Sequence, residues 1–232
     1  MKRFIVVFAF LPAFFYSLFA QEVGTSVDSP PAGHVALQFS YEHLSRDFTL
    51  DSLKEEITQE ILKATLRYRP SVNLNLYGFV GSSDFPNSII TTERNLYFGG
   101  GIKYVMLGEV EILDEKEGTS INIKGGMGLD FQVSRLQSTG NQVFDNFGLT
   151  EFQGAIDFGI RVFQFAGYFG FKLSTISGNF TLPDKSLIDT KGKGLFSMFL
   201  GFNYSFGRHL AFISEFSFFT ESSWALGLRW NL

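Results

Sequence analysis

From Thr119 to Arg135 oily and wet residues alternate along the chain. Ile121, Ile123, Met127, Leu129, Phe131 and Val133 fall on one parity, and Ser120, Asn122, Lys124, Asp130, Gln132 and Ser134 on the other, with glycines filling gaps in both. Successive side chains of an extended chain point to opposite faces, so this stretch predicts a long β-strand with one apolar and one polar face. The pattern recurs at Val35 to Tyr41, Leu62 to Tyr68, Val72 to Leu76, Phe98 to Met106, Phe152 to Val162, Phe165 to Leu173, Phe196 to Phe206, Leu210 to Phe218 and Trp224 to Leu232. Ten strands are expected in all.

The connections alternate in length. Long polar segments run from His43 to Glu56, Ser82 to Arg94, Leu136 to Thr150 and Ser177 to Lys193. Short ones are Arg69-Pro70-Ser71, Leu113 to Gly118, Phe163-Gln164, Gly207-Arg208-His209 and a link near Thr220 to Ser222. Long loops at one end and tight turns at the other, on an even strand count, predict an all-β, antiparallel up-and-down transmembrane β-barrel. Residues paired across a hairpin share a face, so Tyr68 should oppose Val72, Val162 should oppose Phe165, and Phe206 should oppose Leu210. Asp51 to Lys63, with Leu53, Ile57 and Ile61 four apart, reads either as a short helix over the barrel mouth or as an extension of the second strand. Asp114-Glu115-Lys116-Glu117 reads as a solvated turn that extends its hairpin.

Which face points inward is a question of size. A small soluble barrel has an interior just wide enough for side chains or one ligand. The apolar parity carries more than thirty large side chains, too many to fit inside. The other parity carries Gly99, Gly101, Gly126, Gly128, Gly159, Gly170, Gly201 and Gly227, as a narrow lumen requires. Turned outward, the apolar residues meet lipid. Tyr68, Tyr204, Phe206 and Trp230 near the turns, and Tyr41 and Trp224 near the loops, are then placed as two interfacial aromatic girdles.

Composition narrows the class further. Of 232 residues, 29 are Phe and 24 Gly, only 18% are charged and none is Cys, which excludes a disordered chain, a disulfide scaffold and Cys-ligated zinc. Lys2 and Arg3 precede an apolar run from Phe4 to Phe19, closed by Ala20 before Gln21 and Glu22, the pattern of a secretory signal. The run is shorter than a membrane helix prefers and Pro12 interrupts it. The expected organisation is a signal peptide over 1–20, a flexible periplasmic segment over 21–33 with Pro30 and Pro31, and an outer-membrane barrel over 34–232. Removing Lys2 and Arg3 leaves 17 basic against 23 acidic residues. That acidity excludes a nucleic-acid partner, which would need a basic stripe.

The last strand, Trp224-Ala225-Leu226-Gly227-Leu228-Arg229-Trp230-Asn231-Leu232, resembles the C-terminal assembly signal of the small outer-membrane β-barrel proteins of diderm bacteria. Gly227 stands five before the end, with large apolar residues at Trp230 and Leu232; the strand departs from the pattern by ending in Leu and by carrying Ala225 where a polar residue is usual. Arg69 to Gly78 and Gly99 to Tyr104 are similar to strands of uncharacterised outer membrane protein β-barrel domain sequences. The resemblance implies an outer-membrane location with loops outside and both termini periplasmic, contact with outer-membrane lipid, insertion by the barrel-assembly machinery, and a monomer. It implies no cofactor and names no surface partner.

On the lumen parity Glu42, Asp130, Glu151, Asp157 and Glu215 accompany Lys63, Arg67, Lys103, Lys124, Arg161, Lys172 and Arg229. Buried ions are costly unless paired, so a charge network filling the lumen is expected. Lys124 and Asp130 are expected to face Asp157 and Arg161, and Glu215 to flank Arg229. The role this implies is structural or surface interaction, the alternative being a narrow pore or transporter of small or lipid-like molecules. Some outer-membrane barrels are enzymes, but His34 and His209 belong to the turn end. That leaves His43, with Ser45, Asp47, Ser82, Ser83 and Asp84, as the one cluster that could converge. Loops are rich in Ser and Asp for turn chemistry alone, so no catalytic or metal site is expected. Gly99-Gly100-Gly101 lacks the Lys and helix of a phosphate loop.

Overall fold

Alternation translates directly into strands. The computed structural model describes residues 30–50, 53–86, 95–114, 119–139, 146–181, 187–191 and 195–232. Its strands are β1 (Val35–Leu50), β2 (Leu53–Ser71), β3 (Leu74–Asp84), β4 (Asn95–Asp114), β5 (Thr119–Thr139), β6 (Asn146–Val162), β7 (Phe165–Thr181), β8 (Leu187–Lys191), β9 (Leu195–Phe206), β10 (Leu210–Phe219) and β11 (Glu221–Asn231). All pairings are antiparallel between neighbours along the chain, except that β7 pairs with β9 as well as with β8, and β1 pairs with β11. The last of these closes the ring. Ten strands form the barrel, and β8 continues the line of β9 along the loop end of β7. The expected signal peptide, and all of the expected periplasmic tail before Pro30, lie outside the described residues.

Several strands outrun the 9–11 residues that cross a bilayer, and this corrects the expected loops. Leu50 pairs with Leu53, so the segment from His43 to Glu56 is mostly hairpin, and the helix considered over Asp51 to Lys63 gives way to strand β2. The polar side chains there misled the reading, because strands above a membrane no longer need an oily face. The segment from Leu136 to Thr150 is likewise mostly strand, with β5 running to Thr139 and β6 starting at Asn146. At the opposite end β4 and β5 extend to the pair Asp114 and Thr119.

Two of the three expected turn pairings hold, Val162 with Phe165 and Phe206 with Leu210. Tyr68 instead pairs with Leu76, and the register shifts between Tyr68 and Ser71. The turn is Val72-Asn73 rather than Arg69-Pro70-Ser71. Pro70 has no N–H to donate, so the strand end bulges around it and the turn moves two residues on. Leu76 shares the parity of Val72, so every side chain keeps its face. Two residues, Phe163-Gln164, suffice for the next turn, which takes Phe163 into the left-handed region at φ 54°.

The faces sort by polarity in the reverse of a soluble protein. Phe131, Phe158 and Phe171 are 64%, 37% and 37% exposed, while Glu42, Asp157 and Glu215 are fully buried. Exposed apolar residues cover the wall on every barrel strand, from Phe39 on β1 to Leu228 on β11. A contiguous oily surface of this extent is a membrane-facing surface. The girdle residues sit at its two edges: Tyr68, Tyr204, Phe206 and Trp230 are exposed near the turns, and the Tyr41 and Trp224 rings lie 5.2 Å apart near the loops. Along the closing seam Gly227 opposes Ser40, Trp230 opposes Leu37, and the Leu232 N–H donates to the Val35 carbonyl at 2.9 Å.

Candidate functional site in the barrel lumen

Inward positions on β1 are Ala36, Gln38, Ser40, Glu42, Leu44 and Arg46, all buried. Arg46, toward the loop end of β1, is the hub of a polar network. Its Nη1 donates to Glu151 on β6 at 2.9 Å and lies 3.9 Å from Glu221 on β11, while its Nη2 donates to Gln59 on β2 at 3.1 Å. Gln59 in turn donates to the Ser83 hydroxyl at 2.8 Å, and Lys172 on β7 reaches Glu221 at 2.6 Å. In a ring of ten strands β1 and β6 stand opposite each other, so the Arg46–Glu151 contact spans the full diameter.

Further pairs lie toward the turns. Lys63 meets Glu42 at 2.5 Å with its ammonium over the Phe79 ring, and Lys103 meets Asp157 at 2.6 Å. The Tyr77 hydroxyl donates to Asp130 at 2.6 Å and the Tyr168 hydroxyl to Glu215 at 2.8 Å. Arg67 donates to the Gln38 side chain at 3.2 Å and lies over the Tyr77 ring. Lys63–Glu42 and Arg67–Gln38 join neighbouring strands, whereas Lys103–Asp157, Tyr77–Asp130, Tyr168–Glu215 and Lys172–Glu221 reach two or more strands around the ring, because long side chains in a narrow interior can cross it.

That geometry corrects the expected neighbours. Lys124 is exposed at the turn-end rim and stands opposite Arg161, a base, while Asp130 stands opposite Ala155. Arg161 donates to the Phe163 carbonyl at 3.1 Å. Glu215 stands opposite Ala225, and the buried Arg229 opposite Ala211 and Gln38, so register does not set Glu215 beside Arg229.

Two hubs escape sequence reasoning. Arg46 lies in a segment read as loop, and Glu221 in one read as a link. Missed too is the apolar part of the filling. Ile61, Phe79, Phe85, Tyr97, Leu136, Leu149, Ile176 and Leu195 form one buried cluster beside the network and toward the loop end, and Ala155, Tyr168 and Phe199 form a second. The inward aromatics stand directly opposite glycines: Tyr77 and Gly101, Phe79 and Gly99, Tyr97 and Gly81, Tyr168 and Gly201, Phe199 and Gly170. Where such a glycine faces a ring, an added Cβ would overlap it, as at Gly101 with Tyr77 and at Gly201 with Tyr168. An aromatic lying over a cross-strand glycine is a recurrent device for filling a curved sheet.

Of the expected cluster, His43 stands two strands from Asp84, with Glu60 between them. Its Nδ1 is 3.5 Å from Glu60 and its ring stacks on Trp224, both on the outward wall, whereas Ser83 points inward to Gln59. Asp47 falls among residues whose side chains are outside the described set. At the turn end Arg69 donates to the Pro30 carbonyl at 2.9 Å and also to the Val72 carbonyl, tying the start of the described chain to the first turn.

No protein-family model matches the sequence, and no curated protein matches it. Among solved structures the chain is similar to Ail, the attachment invasion locus protein of Yersinia pestis, at 10% identity and a TM-score of 0.34, over 87% of this chain and 99% of that one. It is similar to an outer membrane channel from Pseudomonas putida F1 at 8% identity and a TM-score of 0.39, over 91% and 99%. Similarity to Neisserial surface protein A is 8% identity and a TM-score of 0.37, over 84% and 96%. The fold assignment rests on the strand pairing and the oily exterior described above.

Proposed function

We propose that this integral outer-membrane β-barrel protein is a closed cylinder whose role is structural or lies in what its loop end presents, and that it conducts no solutes. One observation carries this reading: the Arg46–Glu151 contact crosses the whole lumen between strands on opposite sides of the ring. Ion pairs such as Lys103–Asp157 and the buried Phe79, Tyr97 and Phe199 rings stand in the lumen beside it. Ten strands also enclose far less space than the roughly 16–18 strands of aqueous porins.

In this reading the loops face outward from the cell and both termini lie in the periplasm, after removal of residues 1–20. The closed ring offers no free barrel edge to a second copy, which favours a monomer. The placement of His43 against Glu60 and Trp224 favours a role without catalysis. The test is single-channel recording of the purified protein in planar bilayers. Current at the level of the bare bilayer is expected; stable, large openings would overturn the proposal.

A further inference from the structure

A groove of about 540 Å³ indents the outer wall where β4, β5, β6 and β7 meet. Two outward glycines make it. Gly100 stands opposite Val133, and Gly154 stands between Phe131 and Leu173, so the depression is floored by backbone and walled by Ile102, Phe131, Phe152 and Leu173. The two glycines differ in cause. A Cβ at Gly100 would sit 2.8 Å from the Tyr77 carbonyl oxygen, so wall packing demands glycine there. At Gly154 a Cβ would meet only the Phe131 ring at 3.7 Å and the Asp130 carbonyl oxygen at 4.0 Å, which are ordinary contacts. The wall would accept a side chain at Gly154, and its absence keeps the groove open.

Immediately loopward of the groove the wall changes character. Arg135 pairs with Thr150, and Thr150 with Ser177, giving one rung with a guanidinium and two hydroxyls. All three lie on the outward parity, and Arg135 is exposed. A cation is tolerated on a barrel's lipid face only near the interface, so this rung marks headgroup level. The exposed guanidinium is a local attraction for an anion on a chain whose net charge is −4.

We infer that the groove and this rung together bind one phosphate-bearing membrane lipid. One acyl chain lies over Gly100 and Gly154, and the phosphate sits on Arg135 with the hydroxyls of Thr150 and Ser177 beside it. The planar guanidinium matches two phosphate oxygens at once. The inference rests on the reading of this wall as membrane-facing.

The test is native mass spectrometry of the whole barrel, released from detergent in the presence of dioleoyl phosphatidic acid or of dioleoylglycerol, which lacks the phosphate. Retention of one phosphatidic acid is expected, with diacylglycerol retained far less. Arg135→Gln removes the charge and Gly154→Leu fills the groove; each should lower retention of phosphatidic acid about tenfold. Gly167→Leu is the control: this outward glycine lies near the turns, and its Cβ would meet only the Phe165 ring at 3.6 Å. It should retain the lipid. Heat-modifiable gel mobility verifies that each variant is folded, and Gly154→Ala replaces Gly154→Leu should the latter fail to fold. Equal retention of both lipids, unchanged binding by the groove-filled variant, or equal loss in the control would overturn the inference. Failure of the membrane-facing reading is distinct: the protein would then not float with liposomes.

Discussion

Lys103 and Asp157 illustrate how the interior is held together one residue at a time. The two charges are buried and 2.6 Å apart, and Gly128 opposite Asp157 leaves the room they need, since a Cβ there would overlap the Asp157 carboxylate and the Lys103 stem. Lys103→Met would strand a carboxylate in a dry interior, and losses of about 3–5 kcal/mol are typical of such half-broken pairs. Denaturant unfolding in detergent should show that loss. The double variant Lys103→Met with Asp157→Leu should recover part of it, because the orphaned Asp157 charge is gone while buried Asp130 keeps the Tyr77 hydroxyl but loses the nearby Lys103 ammonium. At this scale the sequence was informative about which residues are inside, since parity alone placed Lys63, Lys103, Asp130, Asp157 and Lys172 there. It was uninformative about partners. Parity assigns a face, whereas partners such as Lys103 and Asp157 are chosen by reach across an interior whose width and stagger are properties of the closed ring.

Strands show the complementary lesson. Their existence and order were legible because lipid on one side and a packed lumen on the other impose strict alternation. Their ends were not, because β1, β2, β4 and β5 continue past the oily band into water, where alternation loses its cause. The short β8 inside the expected loop from Ser177 to Lys193 lies in that same watery zone. Off-parity aromatics were the overlooked signal: Phe79, Tyr97 and Phe199 break the alternation, and each stands opposite a glycine. Depth along a strand also has an energetic signature. Phe131 lies within the oily band of β5, so Phe131→Arg should cost about 2–4 kcal/mol, while Arg135 on the same strand is tolerated at the rim. Reversible unfolding in lipid vesicles measures the difference; an equal effect at the rim, for instance from Gln137→Arg, would contradict the assigned depth.

In the proposed closed cylinder two unlike barriers stand side by side. The polar one joins β1, β2, β6, β7 and β11 through Arg46, Gln59, Glu151, Lys172 and Glu221, and the apolar one packs Leu136, Leu149, Ile176 and Leu195 beside it toward the loops. Removing the polar spoke with Arg46→Ala and Glu151→Ala should therefore weaken the barrel without opening it, because water does not readily fill an apolar constriction. Bilayer recordings of the double variant should stay at baseline; discrete current steps would place the barrier in the ion pairs alone.

Arg46 belongs to the first strand, Glu221 to the last and Glu151 to one midway between, so the contact among them cannot exist in any nascent portion of the chain. Until the terminal hairpin docks, a guanidinium and two carboxylates have no common meeting place, and a half-built sheet would present them unneutralised to fatty acyl chains. The same three side chains thereby favour the completed ring over an open sheet.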